Sequence, residues 1–463
     1  MKCLETAFQN NTSKVALVSA DTGDVFSFTD LLHHRDNLLQ IFPRKQGNLI
    51  FIQSQNTYRS VATVLSLLSS NNTICLLDPS MTSRTLEKYR TTFSPDIIIS
   101  DQSVNNSIPG YFSTPHPYSE ELKILCKESD LSRQLPLQLR LILPTSGSTG
   151  SLKFVKLAEE NLTINGQDIC NAMQISSNDR AYAHLPFHYS YGLSVLISHA
   201  LAGATSVVTS ASIMEKKFWQ EMRHHKCNFF PGVPFHFQTL LRFGVERLRI
   251  PDVTRFSVAG GTLDGAHQEQ FLKQLSADSD FYIMYGQTEA SPRISTFNLR
   301  KYAKKLGSVG QVIGSSKISI EPNQGEILLS GPNVMQGYAT ERNDLYLPDQ
   351  MNARLSTGDL GYLDEEGFLY ITGRLKRIAK LYGLRLNLDD MENHLSTLCP
   401  CIVIEKENSL HIATDQSHKT DQLKAAFNKA YQIPGGHVKF HKLDHLPRLT
   451  SGKLDYQTLS EMI

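Results

Sequence analysis

Residues 141–153 read LILPTSGSTGSLK, an apolar strand signal running directly into a loop of glycines and hydroxyls. Thr145, Ser146, Gly147, Ser148, Thr149 and Gly150 make the loop, and Lys153 stands three residues beyond it. Small residues let successive backbone N–H groups converge on one concave point; hydroxyls add donors there and a lysine adds positive charge. That combination suits a polyphosphate. A flexible Gly/Ser linker has the same composition, but it requires neither a strand before it nor a lysine after it. The spacing is not that of G-x-x-x-x-G-K-[ST], because Gly147, Gly150 and Lys153 are three apart. No G-x-G-x-x-G follows a strand, which argues against a dinucleotide-dependent dehydrogenase.

Outward from this loop, strand and helix signals alternate. NLIFIQSQN (48–56), SVATVLSLLSS (60–70) and TICLLDPS (73–80) read as strand, helix and strand. The rhythm returns at TSVVTSAS (205–212), a helix around Trp219, KCNFFPGVP (226–234), FSVAGGTL (256–263) and FYIMYGQTE (281–289). This predicts βαβ units and a mostly parallel sheet. Beyond about residue 300 short strands with Gly-Pro turns predict a β-rich subdomain. After GRLKR (373–377), LRLNLDDMENHL (384–395) runs from strand to helix with Asp389 as N-cap and Glu392 three residues on, and QLKAAFNKAY (422–431) is helical. The expected architecture is α/β: a large N-terminal domain, 1–375, of parallel βαβ units plus a β-rich subdomain, and a small mobile α+β C-terminal domain, 376–463.

The 463 residues exceed one ordinary core. Forty-six basic residues against 45 acidic leave a net charge of +1, which argues against a duplex nucleic-acid binder. No apolar run approaches the roughly 18–20 residues that span a bilayer. The opening MKCLETAFQNN has neither the basic nor the apolar region of a secretory signal. Seven scattered cysteines form no disulfide framework, so the expected compartment is the reducing cytoplasm. His224, His225 and Cys227 lie too close together for a complete zinc site, and Cys399-Pro400-Cys401 lacks the C-x-x-C spacing.

With the loop in view, the chain resembles the adenylate-forming superfamily of acyl-CoA synthetases, peptide-synthetase adenylation domains and firefly luciferase. The nucleotide loop there is [ST]-S-G-[ST]-T-G-x-P-K; Ser146 to Gly150 and Lys153 match, while Leu152 replaces the proline. Six further stretches follow in the family's order: LPFHYSYGL (185–193), AGGTL (259–263), YGQTE (285–289), GEILLSGPNVMQGY (325–338), STGDLGYLDEEGFLYITGR (356–374) and LPRLTSGKL (446–454). The resemblance extends over about residues 25–463.

The resemblance implies an ATP site made by Thr145–Gly150, Lys153, Ala259, Gly260, Gly261, Tyr285, Gly286, Gln287, Thr288, Asp359, Arg374 and Lys380. Glu289 with Thr149 would hold Mg2+, which takes few protein oxygens beside phosphate; alone, Glu289 would read as a solvated carboxylate. Tyr285 would stack on adenine, and Asp359, otherwise a turn aspartate, would accept both ribose hydroxyls. Arg374 would reach the ribose or the α-phosphate. Phe187, His188, Gly232, Val233 and Gly260 would line the acyl pocket, although a lone histidine among aromatics is more often a packed core residue. Lys453 would be the catalytic lysine, brought in by a small domain that turns about a hinge at Lys376. Lys380–Gly383 would then face the thioester half-reaction.

The implied activity converts a small carboxylic acid to acyl-AMP with release of pyrophosphate. The acyl group then passes to coenzyme A or to the phosphopantetheine of a carrier protein supplied in trans. In amino-acid adenylation domains an aspartate follows the phenylalanine held here by Phe187; His188 in its place implies an acid without an α-ammonium. Amino-acid adenylation with carrier loading, transfer to an amine or hydroxyl, and a non-catalytic adenylate-binding protein are the alternatives. The intact Lys153, Glu289, Asp359, Arg374 and Lys453 speak against the last.

Overall fold

The computed structural model describes residues 4–101, 108–128, 133–144, 153–245, 250, 252–381, 384–407, 409–431, 437–449 and 453–463. The chain forms two compact units, Met1–Lys317 with Ser330–Leu355, and Ile318–Leu329 with Ser356–Ile463. The fold is mixed α/β.

Among the described residues, the first unit carries a nine-stranded and an eight-stranded sheet. In the nine-stranded sheet Val15–Ser19, Thr205–Val208, Arg180–Ala183, Phe229–Gly232, Arg255–Val258 and Asp280–Gly286 run parallel. Antiparallel strands close it at both edges, Val25–Ser27 on one side and Arg293–Asn298 with Gln311–Val312 on the other. The eight-stranded sheet is likewise parallel in the middle, through Leu139–Pro144, Thr73–Leu77, Leu49–Gln53 and Ile97–Ser100. These central strands are continuous apolar runs because helices cover both faces. The strand and helix segments read from the sequence are all present with their ends shifted: the helix expected over 60–70 spans Tyr58–Leu68, capped by Thr57, whose hydroxyl accepts from Ser60 N.

The expected β-rich subdomain is the four-stranded sheet of Lys317–Ile320, Glu326–Ser330, Arg354–Leu363 and Leu369–Arg374. The sequence gives no hint that residues 330–355 leave this sheet for the first unit. There Tyr338–Ala339 adds an edge strand beside Phe154–Ala158, with Tyr338 opposite Val155. The buried Lys156 fixes the return, its ammonium donating to the carbonyls of Asp344 at 2.9 Å and Leu347 at 3.2 Å.

In the C-terminal segment the expected cap is displaced by two residues. The helix is Leu388–Ser396, and Asn387 accepts from Asp389 N at 3.0 Å, so Asp389 sits inside the first turn. Asp389 and Glu392 instead pair with Arg377, which also lies 4.1 Å over the Tyr456 ring. Burial of that guanidinium, not helix capping, decides where the two acids face.

One buried cluster ties the eight-stranded sheet to the returning segment. Asp96, fully buried, accepts from Leu49 N at 2.8 Å and meets Arg342 at 2.9 Å and Arg44 at 3.3 Å. Removing one partner of a buried ion pair strands the others, a loss of about 3–5 kcal/mol. Asp96→Ala is therefore expected to lower the unfolding free energy by about that amount, read by urea denaturation; a change below about 1 kcal/mol would refute the cluster's role.

Candidate active site

The phosphate-loop residues Thr145–Leu152 lie outside the described residues. Lys153 emerges from them at the head of Phe154–Ala158, and the strand pairing brings Tyr338 across to meet it. The Lys153 ammonium lies 3.4 Å from the Tyr338 ring centroid, a close cation–π contact. The Tyr338 hydroxyl donates to Glu289 Oε1 at 3.0 Å. Burial, and then the Glu289 carboxylate, hold this phenol well above its ordinary range, so it stays protonated and remains a donor.

Glu289 occupies the short 3-10 turn Thr288–Ala290, just beyond Asp280–Gly286. The strand end is tight: a Cβ on Gly286 would stand 2.0 Å from the Pro292 carbonyl oxygen. Gln287 N donates to that same carbonyl at 2.9 Å. Three buried asparagines then clamp the turn. Asn333 donates to the carbonyls of Ala290 and Arg293 at 3.1 and 3.0 Å, and accepts from Ser291 Oγ on its own carbonyl at 2.8 Å. Asn165 exchanges two hydrogen bonds with the Arg293 backbone, at 2.7 and 3.0 Å. One helical turn earlier, Asn161 donates to the carbonyls of Pro332 and Val334, at 2.7 and 2.9 Å. Finally Met335 N donates to Glu289 O at 2.9 Å.

Phe187 is fully buried, as a core residue would be. His188 Nε2 lies 3.6 Å from Asp78 Oδ2, and the Tyr189 hydroxyl donates to the same oxygen at 3.3 Å. A carboxylate thus stands beside His188 after all, delivered by the loop after Thr73–Leu77 rather than by the next residue in sequence. Thr288 donates to Ser190 Oγ at 3.2 Å, joining this segment to the Glu289 turn. Tyr191 donates from its hydroxyl to Ser257 O at 2.9 Å.

Gly232 and Val233 follow Phe229–Pro231 at a strand end, and Ala259 N donates to Gly232 O at 3.2 Å. Gly260 and Gly261 continue from there. Beside them His184 meets Pro231 O at 2.6 Å and His236 Nδ1 accepts from Val233 N at 3.0 Å. Burial pushes His184 down to about 4 and His236 well below the usual imidazole value, so both are neutral near pH 7.

In the second unit Asp359 and Arg374 face each other across an antiparallel pair, with Arg374 Nε 3.1 Å from Asp359 Oδ1. Just before Asp359, Gly358 takes φ +73° within the strand Arg354–Leu363, and its N–H donates to Glu326 Oε1 at 2.9 Å. Lys453 is exposed, and its carbonyl accepts from Leu449 N at 2.8 Å. Lys376 falls in the 3-10 turn Leu375–Arg377 and Lys380 in the strand Ile378–Leu381. Gly383 lies outside the described residues.

Lys153 and the Y-G-Q-T-E residues Tyr285–Glu289 therefore share the first unit, while Asp359, Arg374 and Lys453 share the second. The sequence reading passed over Asp78, Tyr338, Asn333 and Arg293. Tyr338 and Asn333 lie inside the quoted GEILLSGPNVMQGY, so the signal was present without an assigned role. A double-mutant cycle of Tyr338→Phe and Glu289→Gln, read by chemical unfolding, is expected to give a coupling of about 1–2 kcal/mol. Additive effects would remove the contact from the argument.

The family model for AMP-binding enzymes matches residues 4–339. The oxalate–CoA ligase of Saccharomyces cerevisiae is 26% identical over 69% of this chain, which spans only 62% of that relative's length. The 2-succinylbenzoate–CoA ligase of a Geobacillus species is 25% identical over 90% of this chain and 88% of its own. In fold, the chain is similar to the O-succinylbenzoate coenzyme A synthetase of Bacillus subtilis in complex with AMP. The TM-score is 0.77 at 22% identity, over 97% of this chain and 96% of that one. With Tyr338 joining Lys153 to Glu289 and the family model matching most of the chain, the chain belongs to the family of AMP-binding enzymes.

Proposed function

We propose that the protein is an AMP-forming acid–thiol ligase. It activates a carboxylic acid as acyl-AMP, releases pyrophosphate and passes the acyl group to coenzyme A or to a phosphopantetheine carrier. The observation that carries this reading is the line Lys153–Tyr338–Glu289, which joins the lysine that follows the Gly/Ser/Thr stretch in sequence to the glutamate of Y-G-Q-T-E. The names of the relatives, both CoA ligases, support the thiol acceptor.

ATP binds with its phosphates in the loop Thr145–Gly150 and Lys153, and its ribose on Asp359 and Arg374. Tyr285 stacks on the adenine, and Ala259–Gly261 and Gly286–Thr288 close around it. Glu289, whose Oε1 accepts from the Tyr338 hydroxyl, would hold Mg2+ together with the Thr149 hydroxyl, and the bound ion would offset charge on the phosphate oxygens. The acid's carboxylate attacks the α-phosphorus, the bond to pyrophosphate breaks, and the spread negative charge is met by Lys153 and by Lys453 from the C-terminal domain. Lys453 must then withdraw. The hinge expected at Lys376 would serve that step, since the next residue, Arg377, is paired with Asp389 and Glu392 and lies over the Tyr456 ring. Lys380 and Gly383 turn toward the thiol.

A second reading has one observation in its favour. Asp78, beside His188, could pair with the ammonium of an α-amino acid. The Ser80 hydroxyl and N–H on Oδ1, at 2.6 and 2.8 Å, and Tyr189 on Oδ2 already engage it, so the acid without an α-ammonium is preferred.

ATP–pyrophosphate exchange over a panel of fatty, aryl, hydroxy, dicarboxylic and α-amino acids tests the proposal. Exchange driven by a non-amino acid is expected; none with any acid would leave a binding protein. Lys453→Ala should cut exchange by about 10²–10³-fold with ATP binding retained. Unchanged exchange would remove Lys453 from the reaction. Glu289→Ala should raise the magnesium concentration needed for half-maximal exchange, and an unchanged requirement would remove Glu289 as a ligand.

A further inference from the structure

Arg293 is a buried basic side chain of the first unit, stacked on Tyr191 in the segment expected to line the acyl pocket. It opens the strand Arg293–Asn298, opposite Gly286, and is 3% exposed. Its backbone is fully engaged, with Asn165 on one side and Asn333 on the other. Its guanidinium is not. Nε is buried without a hydrogen-bond partner, and among the described residues no carboxylate pairs with it. The Tyr191 ring, 5.1 Å from the guanidinium carbon, is its visible partner. Burial pulls the group down to about 10, which still leaves it charged near neutrality.

A ring face is a weak substitute for the water that a guanidinium loses on burial, and buried charges in folded proteins are paired. Other buried arginines of this chain follow that rule: Arg342 meets Asp96 and Arg140 meets Glu159. Position separates Arg293 from them. Tyr191, on which it rests, comes three residues after His188 and bonds Ser257 at the end of the strand that leads to Ala259–Gly261. Its strand neighbour Gly286 belongs to the Y-G-Q-T-E turn. The guanidinium therefore rests on the segment that carries His188, while its own strand pairs beside the Glu289 turn, all in the first unit. The nearby imidazoles, His184 and His236, are neutral and cannot supply a charge there.

We propose that Arg293 is a specificity-determining residue of the acyl pocket, and that the acid activated here is a dicarboxylic acid whose second carboxylate pairs with the Arg293 guanidinium. This rests on the adenylation reading above. One carboxylate reacts at the α-phosphorus; the other enters the pocket, replaces the water lost by the guanidinium and can be met bidentately. A monocarboxylic acid would leave the arginine buried and unpaired, which is how a polar site rejects an analogue lacking one group. The names of the relatives are consistent with this, since oxalate and 2-succinylbenzoate each carry two carboxylates.

The test is ATP–pyrophosphate exchange with matched pairs: oxalate through adipate against the monocarboxylates of equal carbon number, and phthalate and 2-succinylbenzoate against 2-methylbenzoate and 2-butylbenzoate. In the parent protein one or more diacids should exceed their partners in kcat/KM by about 100-fold or more. Arg293→Met, similar in volume and uncharged, should lose most of that ratio through KM, with the monoacid unchanged or improved. Arg293→Lys should keep part of it. A merely structural arginine would lower both members of a pair together. A parent ratio near one, or a ratio that Arg293→Met leaves intact, overturns the proposal while adenylation stands. Exchange with no acid overturns both. Should the Met variant not fold, the parent ratio and Arg293→Lys decide the matter: a ratio near one, or one unmoved by lysine, counts against it.

Discussion

Three buried carboxamides hold the working part of the first unit in place. Asn161 and Asn165 project from one helix at a spacing of one turn and reach two different segments, 332–334 and Arg293. Asn333 closes the gap by bonding the turn between them. Each carboxamide satisfies backbone groups that no sheet or helix ladder reaches, and burial makes an unmet carbonyl costly, about 1–3 kcal/mol each. The Glu289 turn is thus fixed by its surroundings rather than by its own sequence. Lys153, Tyr338 and Arg293 inherit their positions from the same network.

A consequence is that charge in this unit is placed by backbone pairing. Tyr338 stands beside Lys153 because its two-residue strand docks on the strand that Lys153 begins. The buried Lys156 on that strand holds the returning segment through two carbonyls. In the second unit Arg377 plays the comparable part, gathering Asp389, Glu392 and Tyr456 from two helices. The Tyr456 hydroxyl donates to Glu392 at 2.8 Å, and Val403 N donates to the same carboxylate at 2.9 Å. Such a cluster ties the helix Leu388–Ser396 to the C-terminal helix through one guanidinium.

Much of this was legible in the chain. Alternating apolar strands and helices gave the doubly covered parallel sheets, and Gly-Pro turns gave the separate four-stranded one, because both are consequences of local periodicity. Ordered motifs gave Lys153, Tyr285–Glu289, Asp359, Arg374 and Lys453. The misplacement of Asp389 has a local cause as well: Asn387 competes for the same cap, and the pull of Arg377 on Asp389 comes from outside the helix. In sequence no aspartate follows Phe187, yet Asp78 reaches His188 from a loop more than a hundred positions away.

By itself, then, the sequence determined the fold class, the order of the site segments and the residue types available for nucleotide chemistry, since each follows from spacing along the chain. Tertiary structure alone decided which side chains those residues answer to. That Tyr338 serves Glu289, that Asp78 stands beside His188 and that Arg293 is buried without an acid depend on contacts between distant strands and loops. Desolvation and hydrogen-bond satisfaction are set by what surrounds a group in space, and no local pattern records them.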